Sequence, residues 1–114
     1  MRVLTLIIKQ VYFDMIVSGE KVEEFREVKP TTIKKLLQIN EDGYVVKDEI
    51  GNSQPIEYDA LRFYVGYNPD RDFALVEIKD AYCEVFVNEN GNVSEYEYNG
   101  QLWIAEQVEY NIGK

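Results

Sequence analysis

The spacing of apolar residues divides the first quarter of the chain into three short elements. Residues 3–9 are mostly apolar on both faces, which is typical of a central strand. Over residues 10–18 the apolar side chains recur four positions apart, as they do on a helix, and Gly19 suits a left-handed helix end. Residues 22–28 alternate again. The pattern therefore predicts a strand, a helix and a second strand in succession.

The next segment contains one further helix signal and then a run of turn signals. Residues 30–32, Pro-Thr-Thr, are typical of a helix start, and an apolar stripe follows over residues 33–37. Within residues 40–60 the pairs Asp42-Gly43 and Gly51-Asn52 predict turns. We expect this part of the chain to form a small hairpin or another ordered excursion.

From Leu61 onward the pattern is that of a β-structure. Asn-Gly pairs at 90–91 and 99–100 indicate hairpin turns. The predicted strands cover residues 61–67, 73–79, 81–87, 94–98 and 101–110. The order β-α-β-α followed by strands predicts an α+β fold, a curled or closed mixed sheet with short helices near one end. A chain of 114 residues suits one domain, so we expect residues 1–114 to form a single domain.

The charge of the chain limits which partners are reasonable. Twelve basic and 21 acidic residues give a formal net charge of −9. A protein that binds nucleic acid without specificity needs a broad basic surface, so any nucleic-acid contact here must use a local patch or a single nucleotide. No apolar run is long enough to span a bilayer, and the lone Cys83 cannot form an internal disulfide. We expect a cytoplasmic protein that does not bind membranes.

Composition also excludes several chemistries. The chain contains no histidine, so a Ser-His-Asp triad, a Cys-His pair and a histidine-based metal site are excluded. The seven glycines are scattered, and no glycine-rich phosphate loop is present. We expect neither a cofactor nor a bound metal. Any catalysis would have to use lysine, a carboxylate, tyrosine, serine, threonine or Cys83.

The segment from Gly19 to Arg26 is the strongest candidate for a functional site. Glu24 and Arg26 are two apart on a predicted strand and share a face, and Lys21 lies where the chain enters that strand. An arginine fork beside a carboxylate suits a nucleobase edge or a phosphate, and a lysine among other cations can act as a base. The alternative is a solvated strand face with salt bridges, which is the common meaning of a charge run.

Four more residues are candidates for ligand binding. Lys9 ends an apolar strand that we expect to lie beside residues 22–28, although a lysine at a strand end is also ordinary. Tyr64, Tyr67 and Asn68 place aromatic rings and an amide at a strand end, where they could stack on a base and bond to it. Since the chain has nine tyrosines, such a group arises easily by chance, and packing at the rim of the sheet is the more ordinary explanation.

Two other unusual residues are predicted to be structural. Trp103 stands between Leu102 and Ile104, and a single tryptophan in such a setting fills core volume. Cys83 lies in an apolar strand, where a thiol is expected to be buried and inert. Neither residue is therefore included in the candidate site.

The pattern Gly19-x-Lys21-x-x-Glu24-x-Arg26, placed after a strand and a helix, resembles the signature of ASCH domains in the PUA-like superfamily. Residues 63–67 and 74–78 resemble later strands of that family more loosely. The resemblance implies a small PUA-like mixed β-barrel of about five to six strands with two short helices. It also implies a cleft beside the motif, lined by Lys21, Glu24 and Arg26.

The family is associated with RNA and nucleotide recognition, so the resemblance implies an RNA- or nucleoside-recognising binding module. Some small bacterial members hydrolyse N4-acetylcytidine, and those members match this chain at Lys21. Their threonine nucleophile falls at Glu24, which counts against the same mechanism. The alternative function is thus an amidohydrolase with Lys21 and Glu24 as catalytic residues, Lys21 as the base and Arg26 steadying the oxyanion.

A third hypothesis is a protein-interaction domain that uses a tyrosine-rich face. Tyr96, Tyr98 and Tyr110 would form this face, since tyrosine is enriched at protein interfaces. A homodimer is the assembly this hypothesis suggests. The expected partners are therefore an RNA or nucleoside ligand, or a second copy of the chain.

Overall fold

A computed structural model describes residues 1–113, which form seven strands and two short helices. The strands are β1 (Val3–Ile8), β2 (Glu23–Val28), β3 (Ala60–Val65), β4 (Phe73–Val85), β5 (Glu95–Tyr98), β6 (Gln101–Ile104) and β7 (Glu106–Gly113). The helices are α1 (Gln10–Ser18) and α2 (Ile33–Leu36). The predicted fold class is confirmed: the chain is α+β, with a mixed sheet and two short helices.

Five strands form one sheet in the order β1-β3-β4-β7-β2, and β5 and β6 form a separate two-stranded sheet. β1 is parallel to β3 and β3 is antiparallel to β4. The expectations that β1 is central and that it lies beside β2 are wrong, because the two strands occupy opposite ends of the hydrogen-bonded order. β1 is apolar on both faces for another reason: Val3 and Ile7, on the face opposite its buried residues, are themselves half-buried.

Two predicted strand boundaries are also wrong. The predicted strands 73–79 and 81–87 are a single long strand, β4, because the backbone stays extended through Asp80. The predicted strand 101–110 is divided at Ala105 into β6 and β7, and β7 continues to Gly113. Residues 101–110 are therefore in strands, as predicted. The alternation of apolar residues could not show that β6 and β7 belong to different sheets.

The described residues group into two compact units, each assembled from several segments. The first contains residues 1–24, 57–81 and 110 to the end of the described chain. Its core consists of alternating side chains of β1, two residues of α1, and buried positions on β3 and β7: Leu4, Leu6, Ile8, Phe13, Ile16, Ala60, Leu61, Phe63, Tyr110 and Ile112. The predicted helix packs through Phe13 and Ile16, which are three positions apart, whereas the other members of the predicted four-residue pairs, Tyr12 and Val17, are exposed.

The second unit contains residues 25–56 and 82–109. Leu36 and Leu37, at the end of α2, are almost fully buried there. The segment after them is the predicted ordered excursion: isolated bridges join Leu37 to Pro55, Ile39 to Val45 and Lys47 to Ser53. The two turns that the sequence predicted contain glycines with positive φ, Gly43 at 87° and Gly51 at 88°.

Not every predicted core residue is buried. Trp103 is half-buried, and its neighbours Leu102 and Ile104 remain 71% and 41% exposed, because the two-stranded sheet leaves much of β6 in solvent. Tyr110, in contrast, is fully buried, so it cannot belong to the exposed tyrosine face that the sequence suggested. No helix within residues 1–113 is long and apolar enough to cross a membrane.

Candidate functional site

The end of α1 positions the first residue of the charged motif. Gly19 has φ 84°, in the left-handed region, and its N–H donates to the carbonyl of Ile16 at 3.1 Å. The N–H of Lys21 donates to the carbonyl of Met15 at 2.9 Å, which folds the chain back against the helix. The side chain of Lys21 then reaches the first turn of α1, where its Nζ lies 5.9 Å from the centroid of the Tyr12 ring.

Glu24 is the carboxylate that Lys21 contacts. Lys21 Nζ lies 3.9 Å from Glu24 Oε1. The exposed fraction of Glu24 is only 7%, while its neighbours Glu23 and Phe25 on the other face of β2 are exposed. A carboxylate taken out of water needs partners, because burial without them is costly. The ion pair therefore keeps the lysine ammonium near the Glu24 carboxylate in the first unit.

A cavity of about 350 Å³ adjoins this ion pair, within the first unit. Lys21 and Lys79 supply its charged lining, and its remaining lining is apolar or glycine: Ile16, Gly19, Val22, Ile112 and Gly113. The stem of Lys79 lies directly against Gly113, at the place where a Cβ would stand, and Lys79 Nζ is 3.0 Å from that position. Glycine at 113 therefore makes room for Lys79 beside the cavity.

Arg26 follows Glu24 on β2 but belongs to the second unit. Its side chain is half-buried and its Nε is out of contact with solvent. The prediction that Arg26 and Glu24 share a face of the strand is confirmed by the alternating burial along β2, and the structure shows that this face is the less exposed one. Of the three motif residues, the structure brings Lys21 and Glu24 together in one described site.

The other predicted ligand residues cluster where β1 and β3 end. The register pairs Ile8 with Val65, so the carboxyl ends of these parallel strands share one edge of the sheet. Lys9, Tyr67 and Asn68 are exposed there. Lys9 is also the N-cap residue of α1, and its carbonyl accepts hydrogen bonds from the first turn of the helix.

Much of the binding capacity of this edge is already used within the protein. The Arg71 guanidinium lies 4.1 Å from the centroid of the Tyr64 ring, and Arg71 Nη1 donates to the carbonyl of Gly66 at 2.8 Å. Asn68 Oδ1 accepts the N–H of Asp70 at 3.2 Å. Tyr67, which is 83% exposed, is the aromatic ring of this edge that a ligand can reach most easily.

Sequence reasoning missed Lys79, Gly113 and Arg71. Lys79 is at an exposed position of β4, and a lysine at such a position is too common to indicate a functional site. Gly113 is the last described residue of β7, and only the approach of Lys79 shows why a glycine stands there. Arg71 follows an Asn-Pro-Asp turn, so the sequence indicates that it lies in a loop. Nothing in the sequence shows that its guanidinium stacks on an aromatic ring.

Comparison with protein families, with curated proteins and with solved structures gave no match. The functional argument therefore depends on the residues and the geometry of this chain.

Proposed function

We propose that this chain is a binding module of the PUA-like, ASCH type that recognises a nucleotide, either as a small ligand or within RNA. The observation that carries the proposal is the cavity lined by Lys21 and Lys79, with the buried Glu24 paired to Lys21. The lysines supply compact positive charges for a phosphate, which is a common role of this side chain. A cytoplasmic location would fit such a ligand.

The remaining lining suits the rest of a nucleotide. Ile16, Val22 and Ile112 offer apolar surface to a base or a sugar, in a cavity large enough for a small ligand. Glu24 is not one of the lining residues, but it lies next to Lys21, and a base whose exocyclic amino group reached its carboxylate would donate a hydrogen bond to it, as cytosine does to acidic side chains. The exposed Tyr67 at the end of β3 offers a stacking surface for a further base in a longer RNA.

The ion pair favours binding over the hydrolase alternative. Lys21 is held against Glu24 at 3.9 Å, so its ammonium is positioned as a cation for a ligand. A lysine acting as general base would instead have to leave this pair and come within hydrogen-bond distance of a substrate proton.

The direct test is calorimetric titration with cytidine, the four nucleoside monophosphates and short single-stranded RNAs. Lys21→Gln and Lys79→Gln should each weaken binding of a monophosphate about fivefold to thirtyfold, because each removes one charge-assisted contact. Lys34→Gln is the matched control, since this exposed lysine of α2 lies in the second unit and its loss changes the net charge equally.

The same samples distinguish the remaining hypotheses. Equal loss of affinity in all three lysine variants would mean that only net charge matters, and the proposed site would be abandoned. If no nucleotide or RNA binds, the proposal is wrong. N4-acetylcytidine is incubated in parallel, and its hydrolysis by the wild type but not by Lys21→Gln would favour the enzyme instead.

A further inference from the structure

A second cavity, of about 340 Å³, lies wholly within the second unit and has a different lining. Three aromatic rings and three small or apolar residues supply most of its surface: Phe86, Tyr96, Tyr98, Val28, Pro30 and Ala105. Two carboxylates, Glu27 and Glu106, also line it, together with Lys29 and Thr31. None of these residues belongs to the site proposed above.

The negative charges of this cavity act on its aromatic wall. Tyr96 is half-buried, and its hydroxyl donates to the carbonyl of Val28 at 3.5 Å. Burial raises the pKa of Tyr96, and the charges of Glu106 and Glu27 raise it further. Both carboxylates line the same cavity as the Tyr96 ring, so they create a negative potential at its hydroxyl.

The two carboxylates have different surroundings. Glu106 is half-buried and accepts a hydrogen bond from Cys83 Sγ at 2.9 Å. Glu27 forms an ion pair with Lys29 at 3.7 Å, but both side chains are about 60% exposed, so the pair is screened by solvent and is easily exchanged. The positive charge of Lys47 lowers the pKa of the Cys83 thiol, against the larger effects that raise it. Glu106 itself forms no ion pair among the described residues.

We propose that this cavity binds an organic cation, an alkylated ammonium or a guanidinium group. The charged group would lie near Glu106 and Glu27, and its alkyl part would contact the rings of Phe86, Tyr96 and Tyr98. Aromatic faces attract such cations, and neighbouring carboxylates add to the attraction. This site is independent of the nucleotide site, since it uses other residues in the other unit.

The charge of the lining explains why other ligands are less suitable. An anion would be repelled by both carboxylates, and the net charge of −9 adds to this repulsion. A neutral apolar ligand would displace water from Glu106 without offering a compensating charge, and burial of an unpaired carboxylate is costly. An organic cation can interact favourably with the aromatic rings and with the carboxylates at the same time.

The test compares choline with 3,3-dimethyl-1-butanol, its uncharged analogue of nearly the same shape, by NMR titration of the 15N-labelled protein. We expect choline to shift the resonances of Tyr96, Tyr98 and Ala105. The neutral analogue should bind at least roughly tenfold more weakly. Equal affinity for the two compounds would overturn the proposal, because the cavity would then be selecting only for shape.

Two variants test the carboxylates separately. Glu106→Gln and Glu27→Gln should each weaken choline binding roughly threefold to tenfold. Glu27 is exposed, so its replacement keeps the test valid even if Glu106→Gln disturbs folding. Glu97→Gln is the matched control, because this exposed residue of β5 is not part of the lining and carries the same charge. If Glu97→Gln weakens binding as much as the other two, the effect is one of net charge and the proposal is wrong.

A second set of probes identifies the source of the cation. Acetylated and amidated Gly-Lys-Gly and Gly-Arg-Gly peptides are titrated beside choline. Stronger binding of a peptide supports the site with a protein side chain as its ligand, and stronger binding of choline supports a small molecule. If neither choline nor either peptide binds, the proposal is overturned. Lys21→Gln should leave choline binding unchanged, which separates this result from a failure of the nucleotide site.

Discussion

At the scale of single residues, the most informative positions are carboxylates with little exposure to solvent. Glu24 is 7% exposed and is paired with Lys21, and Glu109 is 8% exposed and accepts a hydrogen bond from the hydroxyl of Tyr82. Buried charges persist in folded proteins when such partners compensate for the lost hydration. Glu24 is not part of the cavity lining, but it is paired with Lys21, which is, and this is the reason for assigning Glu24 a role in binding.

A substitution at Gly113 should separate binding from stability. In Gly113→Ala the new Cβ would occupy the place of the Lys79 stem, and this flexible side chain would move away. We expect the free energy of unfolding to change by less than about 1 kcal/mol, while affinity for a nucleoside monophosphate falls several-fold. Urea denaturation and calorimetry measure the two quantities. Unchanged affinity would mean that Lys79 does not contact the ligand.

Gly43→Ala is the control for this substitution, because it should change stability and leave binding unchanged. Gly43 has φ 87° and no atom close to the position of a Cβ, so alanine there is strained but does not collide. It should lower the free energy of unfolding by about 1 kcal/mol and leave nucleotide affinity unchanged.

Cys83 should react slowly in the folded protein. Burial raises the pKa of its thiol, and the hydrogen bond to Glu106 and the charge of that carboxylate raise it further. At pH 8 we expect alkylation by iodoacetamide to be at least roughly tenfold slower in the native than in the urea-unfolded protein. Glu106→Gln should speed the native reaction. Equal rates in native and unfolded protein would contradict the described environment of the thiol.

The same thiol predicts how stability depends on pH. Its pKa in the folded protein lies above the ordinary value of 9.0, so the folded protein keeps the proton where the unfolded chain releases it. This contribution is complete below pH 9 and is lost as the pH rises toward the folded pKa. Denaturation midpoints of the wild type should therefore fall above pH 9 more steeply than those of Cys83→Ala. Parallel profiles would contradict this.

Sequence alone could predict part of the site. Strand parity placed Glu24 and Arg26 on the same face of β2, because alternation is a local property, but it could not show that this face is the less exposed one. Lys79 and Gly113 could not be predicted, because their contact joins two strands that are far apart in the chain. The stacking of the Arg71 guanidinium on the Tyr64 ring could not be predicted either, since a turn separates the two residues in the chain.

At the scale of elements, short α1 depends on the residue that ends it. Gly19 adopts φ 84°, a conformation that costs other residues about 1 kcal/mol. Gly19→Ala should therefore lower the free energy of unfolding by about 1 kcal/mol, as measured by urea denaturation. Ser18→Ala removes an exposed hydroxyl that donates to the carbonyl of Met15 and accepts the N–H of Glu20, and it should cost less. Equal effects would indicate that the left-handed cap is not needed.

Elements with local signals were predicted well, and elements that depend on distant pairing were not. The bounds predicted for α1 and its glycine cap agree with the structure, as does the pair of turns in residues 40–60. In contrast, β4 extends through a position that was read as a break, and β6 and β7 enter different sheets. Partners of a strand are chosen by tertiary packing, which hydrophobic alternation does not encode.

At the scale of the whole molecule, the charge of −9 restricts how RNA could bind. If the two lysines of the cavity make the phosphate contacts, log K for a single-stranded RNA should fall against log salt with a slope of about −1.4. Affinity should also change little as the RNA is lengthened beyond a few nucleotides. Fluorescence anisotropy with labelled oligonucleotides at several salt concentrations measures both. A slope several times steeper would require a basic surface that this chain lacks.

The most direct test of the central claim is an NMR shift map of the 15N-labelled protein with a nucleoside monophosphate. The account predicts that the largest shifts fall on the cavity of the first unit, at Gly19, Lys21, Val22, Lys79 and Gly113, and that Lys21→Gln weakens them. No shift with any of the four monophosphates, or shifts confined to residues outside this cavity, would contradict it.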